Sequence, residues 1–273
     1  IDKRTALPEW SKAIGVTPPS LGILEQAGLA QQLTQHAVQV RHADVHDDRG
    51  HAGTVNFTTI PSEFDHILSV PQSTTMTVLA DGVARQPDVT LKRGLTLTGL
   101  VFEGDGVIVE LTEGNSGRKE RVTAQWLIGC DGCNSTTRRL LEIPFERHEY
   151  APEFVMADHE DTTAWGDRAR LFFKREGSLE SFPLPDGQRR WVTLVTCQVA
   201  DDDEFLRTQT ERLSGEKLNG TRRSPVFRFT PERIQVDSFY REHGILAGDA
   251  AHVMSSIGGQ GMNTGFADAE FLA

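Results

Sequence analysis

Cysteine is scarce: the 273 residues include only Cys130, Cys133 and Cys197. Three thiols make no disulfide framework. Cys130-x-x-Cys133 invites a zinc or redox reading, but zinc needs two further ligands at suitable spacing and Cys197 stands alone. A thioredoxin-like site would need its own βαβ context. Both thiols are therefore expected to be reduced and structural. Dense basic runs are also missing. Lys plus Arg number 28 against 39 Asp plus Glu, a net charge of −11, so nucleic acid is not an expected partner. No stretch approaches the roughly eighteen apolar residues of a membrane span. No signal peptide is visible, no repeat or low-complexity tract occurs, and no Ser-His-Asp triad stands out. A cytoplasmic protein is the simple expectation.

What is present is enough chain for a two-part molecule or one large domain with ample core. Strand-like runs cover Val89–Arg93, Leu97–Phe102, Gly106–Thr112 and Glu120–Gly129, the middle two forming a hairpin around Glu103-Gly104-Asp105-Gly106. Further runs cover Arg170–Lys174, Arg190–Val199, Val226–Phe229 and Gln235–Phe239. Pro18–Leu29 reads as a helix with Pro in its first turn and an end near Gly28. Asn115–Lys119 and Ser214–Gly220 read as exposed loops. The pattern predicts an α/β architecture with a mixed or antiparallel sheet added.

The last thirty residues carry the densest chemistry. The apolar run Ile245–Gly248 reads as a short buried strand that stops at an acid, Asp249. A loop then reaches Gly258-Gly259-Gln260-Gly261, and a helix is predicted from Met262 onward. Glycines let a ligand approach the backbone, and a helix start offers unpaired N–H groups with partial positive charge. An acid at a strand tip accepts hydrogen bonds from ligand hydroxyls. The set suits a large, hydroxylated, partly anionic cofactor, although many strand-to-helix junctions carry glycine for steric reasons alone. Upstream, Trp126–Gly129 reads as a buried strand and Cys130–Leu141 as a turn into a basic helix start, with Ser135 suited to cap that helix.

The strings Gly248-Asp249-Ala250-Ala251-His252, Gly258–Gly265 and Asp268-Ala269 closely resemble the second FAD motif of the class A flavoprotein monooxygenases, the relatives of para-hydroxybenzoate hydroxylase. The resemblance implies a Rossmann-like FAD-binding domain with a mixed or antiparallel substrate-binding sheet. It places Gly248, Asp249, Gly259 and Gly261 against the cofactor, Asp249 on the ribityl chain, and the N–H groups of Met262 and Asn263 at the flavin pyrimidine edge. Asp131-Gly132 with Ser135 and Arg138 resembles the family's Asp-Gly motif, giving Asp131 and Arg138 a part in placing FAD and the nicotinamide cofactor. Ile1–Arg4 looks like the tail of the second strand of a dinucleotide-binding unit, with Asp2 as the ribose contact if the glycine turn that would precede it exists; that turn is not in the sequence, so either the sequence is a fragment or an upstream segment is missing from it. Ser11–Val16 matches a segment that usually has Arg where Lys12 stands, and a Lys keeps the charge without the fork. Gln72 falls where the family sets a Gln against the diphosphate and ribityl region. The implied FAD-binding domain is residues 1–35, 71–150 and 240–273; the implied substrate-binding domain is 36–70 and 151–239.

The activity implied is that of an FAD-dependent, NADPH- or NADH-consuming monooxygenase. It would hydroxylate a phenolic or polyketide-like aromatic with O2 through a flavin C4a-hydroperoxide, the protein supplying position, dryness and charge stabilisation. A homodimer is compatible. No catalytic side chain is readable, and His252 is expected to organise its loop rather than to react. Ser255-Ser256 departs from the family, which usually carries Pro at one or both positions. Phe172, Phe173, Phe182, Trp191, Phe227, Phe229 and Phe239 could line an aromatic pocket, and Pro183–Gly187 reads as a turn. Two alternatives stay open: a related FAD-dependent reductase, and a truncated or degenerate, non-catalytic homologue. The halogenase string W-x-W-x-I-P is absent, since Trp10, Trp126, Trp165 and Trp191 lie far apart.

Overall fold

A computed structural model describes residues 1–9, 12–255 and 258–273. Trp10, Ser11 and Ser256 lie outside the described residues. The chain divides into two compact units: residues 1–9, 76–149 and 232–273 form the first, residues 10–75 and 150–231 the second.

Among the described residues, the first unit contains three three-stranded sheets. One is the antiparallel meander Leu95–Glu103, Gly106–Glu113 and Lys119–Ala124. Its predicted hairpin is present, with Gly104 at φ 57° in the turn. Alternation on the middle strand buries Val107, Val109 and Leu111 together, the period-two signature of a strand with one covered face. A second sheet sets Leu127–Gly129 parallel to Gly244–Leu246, which pairs in turn with Tyr240–Arg241. The third joins Phe145–Glu149, Glu232–Val236 and His252–Val253.

In the second unit a seven-stranded sheet runs in the order 227–229, 154–160, 188–194, 177–184, 169–174, 42–47, 50–56. All its pairs are antiparallel except 169–174 with 42–47. The helix Asp202–Ser214 is capped by Asp201, which accepts from the N–H groups of Asp203 and Glu204, and it ends at Gly215 with φ 80°. Its Leu206 and Leu213 pack onto Val155, Phe172, Leu179 and Trp191 from one face of the sheet. Arg189, fully buried, donates to Asp161 at 2.9 Å and to the carbonyls of Gly166 and Arg168, so the interior charge is paired. A smaller sheet joins Gly15–Val16, Ile67–Ser69 and Val38–Val40. The helix Pro18–Gln26 starts on proline, and the chain turns at Gly28 with φ 69°.

Several predicted elements differ. Val89–Arg93 is not a strand: Val89 and Leu91 are exposed, and only Arg93 makes a bridge, to Asp2. Apolar alternation there finds no sheet to join. Glu120–Gly129 breaks before Leu127, and its two parts enter different sheets. The Arg190–Val199 strand ends at Leu194, and the Gln235–Phe239 strand is Glu232–Val236. Ser214–Gly220 is not wholly exposed. Leu218 is buried, and a Cβ on Gly220 would stand 2.3 Å from the Glu160 carbonyl oxygen. Among the aromatic candidates, Trp191 and Phe172 are core, whereas Phe173 and Phe239 are exposed.

Candidate functional site

The two motif-bearing turns of the first unit meet through the backbone. Gly244, Ile245 and Leu246 pair in parallel with Leu127, Ile128 and Gly129, and the Ala247 N–H donates to the Gly129 carbonyl at 3.0 Å. Close approach demands small residues. A Cβ on Gly244 would stand 2.3 Å from Leu141, and one on Gly129 would stand 2.6 Å from Thr137. Parallel strands end at the same edge, so the Asp131 turn and the Asp249 turn open side by side.

Arg138 ties the turns together. Its side chain is buried, and its Nη1 donates to the Ala250 carbonyl at 2.8 Å while Nη2 donates to the Cys133 carbonyl at 2.7 Å. The guanidinium also lies 4.1 Å from the centre of the Phe145 ring. Asp131 is engaged as well. Its carboxylate accepts from the Thr136 and Thr137 N–H groups at 2.8 and 2.9 Å and from the hydroxyls of Ser135 and Thr137. Ser135 in turn accepts from the Arg138 N–H at 2.9 Å. Asp131 and Ser135 thus cap the helix Thr136–Leu140.

On the second turn, Gly248 (φ 58°) opens a 3-10 turn through Ala250. Its N–H donates to Asp268 at 2.7 Å, and Nε2 of His252 meets the same carboxylate oxygen at 2.7 Å. Asp268 lies on the helix Gly261–Leu272, so this one acid fixes that helix to the strand end. His252 is buried, which makes it a tie in the loop. The role of Asp268 escaped sequence reasoning, although the residue stood in the matching string; only its two partners, Gly248 and His252, reveal it.

Against these engaged acids, Asp249 stands apart. Its carboxylate reaches the surface and takes no hydrogen bond among the described residues. The surrounding protein pushes its pKa up by desolvation, with His252 acting the other way. The helix start beside it has no side-chain cap. Gly259 (φ 64°) needs glycine for its backbone conformation. Gly261 has no such need, and a Cβ there would meet nothing within 4 Å. Asn263 is buried and donates to the Gly259 carbonyl at 2.9 Å, which holds the glycine loop against the helix. An unclaimed acid, bare glycine backbone and an uncapped helix start fit a ligand that brings hydroxyl donors and an electron-rich edge. These features fit FAD.

The structure therefore brings Asp131, Arg138, Gly248, Asp249, Gly259, Gly261, Met262 and Asn263 into one region of the first unit. Asp2 belongs to that unit too. Its carboxylate accepts from the Arg4 N–H at 2.9 Å and pairs with Arg93 at 3.1 Å. Lys12 and Gln72 belong to the second unit. The Lys12 ammonium lies 5.8 Å from the centre of the Phe229 ring, and Gln72 opens the helix Gln72–Ala84. Cys130, Cys133 and Cys197 are free thiols, with Cys130 raised in pKa by burial first and by the neighbouring Asp131 charge second. Among the described residues, no helix is long and apolar enough to cross a membrane.

Comparison with known proteins shows the family and the fold. The family described as an FAD binding domain matches residues 1–273. The chain is 29% identical to a rifampicin monooxygenase of Streptomyces venezuelae, over 98% of this chain and 56% of that protein. It is 31% identical to a 6-methylpretetramide 4-monooxygenase of Streptomyces rimosus, over 100% of this chain and 50% of that protein. Among solved structures, p-nitrophenol 4-monooxygenase of Pseudomonas putida superposes with a TM-score of 0.87 at 20% identity, covering 99% of this chain and 70% of that one. This likeness shows the α/β fold expected from the sequence. The chain spans about half the length of the curated relatives it matches.

Proposed function

Since the chain belongs to the FAD-binding-domain family, we propose that it is the FAD-binding and substrate-facing part of an NADPH- or NADH-consuming monooxygenase. Its substrate class is a phenolic or polyketide-like aromatic, hydroxylated with O2. Relatives named as monooxygenases of rifampicin, 6-methylpretetramide and anhydrotetracycline support the substrate class. The observation that carries the reading is the free Asp249 carboxylate beside an uncapped helix start, on a turn tied to the Asp131 turn through Arg138.

Held by these residues, FAD would supply the redox chemistry that the hydroxylation needs. The chain's own residues bind and orient. Asp249 accepts hydrogen bonds from ribityl hydroxyls, and the N–H groups of Met262 and Asn263 face the pyrimidine edge. Gly248, Gly259 and Gly261 let the backbone come close. Arg138 and Asp131 hold the two turns in register, while Asp2, Lys12 and Gln72 are assigned to the adenosine, diphosphate and ribityl regions. The protein is assigned to the cytoplasm, alone or as a homodimer.

Flavin titration of the full-length protein tests this. Wild type should retain FAD, seen as flavin absorbance, and Asp249→Ala should bind it roughly tenfold to a hundredfold more weakly, the worth of one hydrogen bond to a charged group. Equal flavin occupancy in the two proteins would remove Asp249 from the site. A colourless wild type that takes up no FAD would reject the function.

A further inference from the structure

The seven-stranded sheet of the second unit has one face closed by the helix Asp202–Ser214 and another with a chemical oddity. Along one row of the second face, register aligns Met156 with Val192, Val192 with Glu180, Glu180 with Leu171 and Leu171 with Val45. Four apolar side chains flank a single carboxyl, on the central strand of the sheet. Alternation along that strand agrees, since Leu179 and Ser181 are fully buried on the helix side, leaving Glu180 and Phe182 opposite.

Glu180 is half-buried and takes neither a hydrogen bond nor an ion pair among the described residues. Of the other charges toward this face, the Lys12 ammonium lies 5.8 Å from the centre of the Phe229 ring, and Arg190 and Asp158 are paired. Arg190 donates to Asp158 at 2.6 and 2.8 Å and also to the Lys12 carbonyl. On the neighbouring strand, Arg170 and Lys174 point to the helix side, where they lie over the Trp165 and Phe172 rings. Arg207 and Arg212 belong to the covering helix, on that same side, and are paired with Asp203 and Glu176. Burial, with no counter-charge, pushes the Glu180 carboxyl up to about 7. A leucine here would pack better and cost nothing in desolvation. An unpaired acid at such a place calls for a partner from outside the chain.

We infer that Glu180 is the acceptor for the acidic hydroxyl of a phenolic substrate whose ring lies on Leu171, Val192 and Phe182, and that it takes that proton as general base. This rests on the proposed function and names the substrate group it needs. The substrate O–H bond breaks, the proton passes to a Glu180 carboxylate oxygen, and the electron pair stays on the phenolic oxygen. The ring becomes a phenolate, richer in electrons and more reactive toward electrophilic oxygen. The protonated Glu180 then returns its proton to water. A base titrating near neutrality is matched to this task. The same carboxylate repels an anionic group, so the site selects a hydroxyl over a ring carboxylate.

The test uses the full-length holoenzyme with 4-nitrophenol, whose phenolate is coloured, and 4-nitroanisole, which has no acidic proton. Wild type should bind 4-nitrophenol saturably, at least about tenfold tighter than the anisole, with the bound probe shifted toward phenolate. Glu180→Gln should lose that tenfold preference and the spectral shift while keeping flavin occupancy. Glu180→Asp, which keeps the carboxylate on a side chain one methylene shorter, should recover part of the shift. No saturable phenol binding by wild type, or an unchanged shift in Glu180→Gln, overturns the inference. Flavin absorbance read in the same samples keeps the two ideas apart: lost flavin in wild type sinks the monooxygenase, whereas lost phenol selectivity in a yellow protein sinks only the role of Glu180.

Discussion

Replacing Arg138 by Met tests whether the residue ties two turns or touches the cofactor. Met conserves most of the volume and removes the charge. In the structure the guanidinium gives two hydrogen bonds from a buried position, to the carbonyls of Ala250 and Cys133, and packs on Phe145. Each hydrogen bond from a charged donor is worth about 1.5–3 kcal/mol, and a buried carbonyl left without its donor costs a similar amount. The aromatic contact adds about 0.5–2 kcal/mol. Against this, the variant no longer desolvates a guanidinium, an offset of about 1–3 kcal/mol. With each orphaned carbonyl counted within its hydrogen-bond figure, the net expectation is a loss of about 1–7 kcal/mol, centred near 4. Urea unfolding followed by fluorescence should show a lower midpoint at unchanged slope, and FAD affinity should fall with it because the Asp249 turn loses its anchor. Arg138→Lys, which keeps charge but reaches one carbonyl, should fall between. A variant as stable as wild type that has lost FAD would refute the tie and make Arg138 a direct cofactor contact. Unchanged stability and unchanged FAD binding would refute both roles.

Two further predictions separate internal from external demands. Gly261→Ala meets no atom within 4 Å and needs no unusual backbone. It should leave the flavin-free protein as stable or up to about 1 kcal/mol more stable, as Ala exceeds Gly in a helix, yet weaken FAD binding in a fluorescence titration; undiminished affinity would mean that no ligand approaches that Cα. Glu180 also carries a stability signature. Its folded pKa, about 7, exceeds the ordinary 4.5, so the folded state holds the extra proton between those values and stability falls as pH rises through them. At about 1.4 kcal/mol per pH unit, discounted for partial exposure, Glu180→Gln should be about 2–3 kcal/mol more stable than wild type at pH 8 and equal to it at pH 4. Equal unfolding midpoints at both pH values would show that the carboxyl is not desolvated.

Sequence reading reached the local chemistry of the cofactor site well. Strand, acid, glycine turn and helix start are short-range patterns, so Gly244–Leu246, the Gly248 turn and the helix Gly261–Leu272 follow from neighbouring residues. It could not tell the three acids apart. Asp131, Asp249 and Asp268 look alike in sequence, yet Asp131 caps its own helix, Asp268 holds Gly248 and His252, and Asp249 is left open. Those differences depend on what lies opposite each carboxylate. The hairpin His42–Asp47 with Gly50–Asn56, and the strands Phe154–Glu160 and Gly177–Leu184, also escaped notice. The first strand pairs in parallel with Ala169–Lys174, far away in the chain.

By itself, then, the sequence determined the cofactor family and the order of its turns, because glycine, helix-start and strand-tip chemistry act within a dozen residues. Tertiary structure decided which groups remain available. Parallel pairing of strands more than a hundred residues apart set the two turns side by side. Cross-strand register placed Glu180 in an apolar row without a partner. Neither outcome is encoded locally: a strand's alternation says which residues share a face, and only its neighbours fix what that face meets.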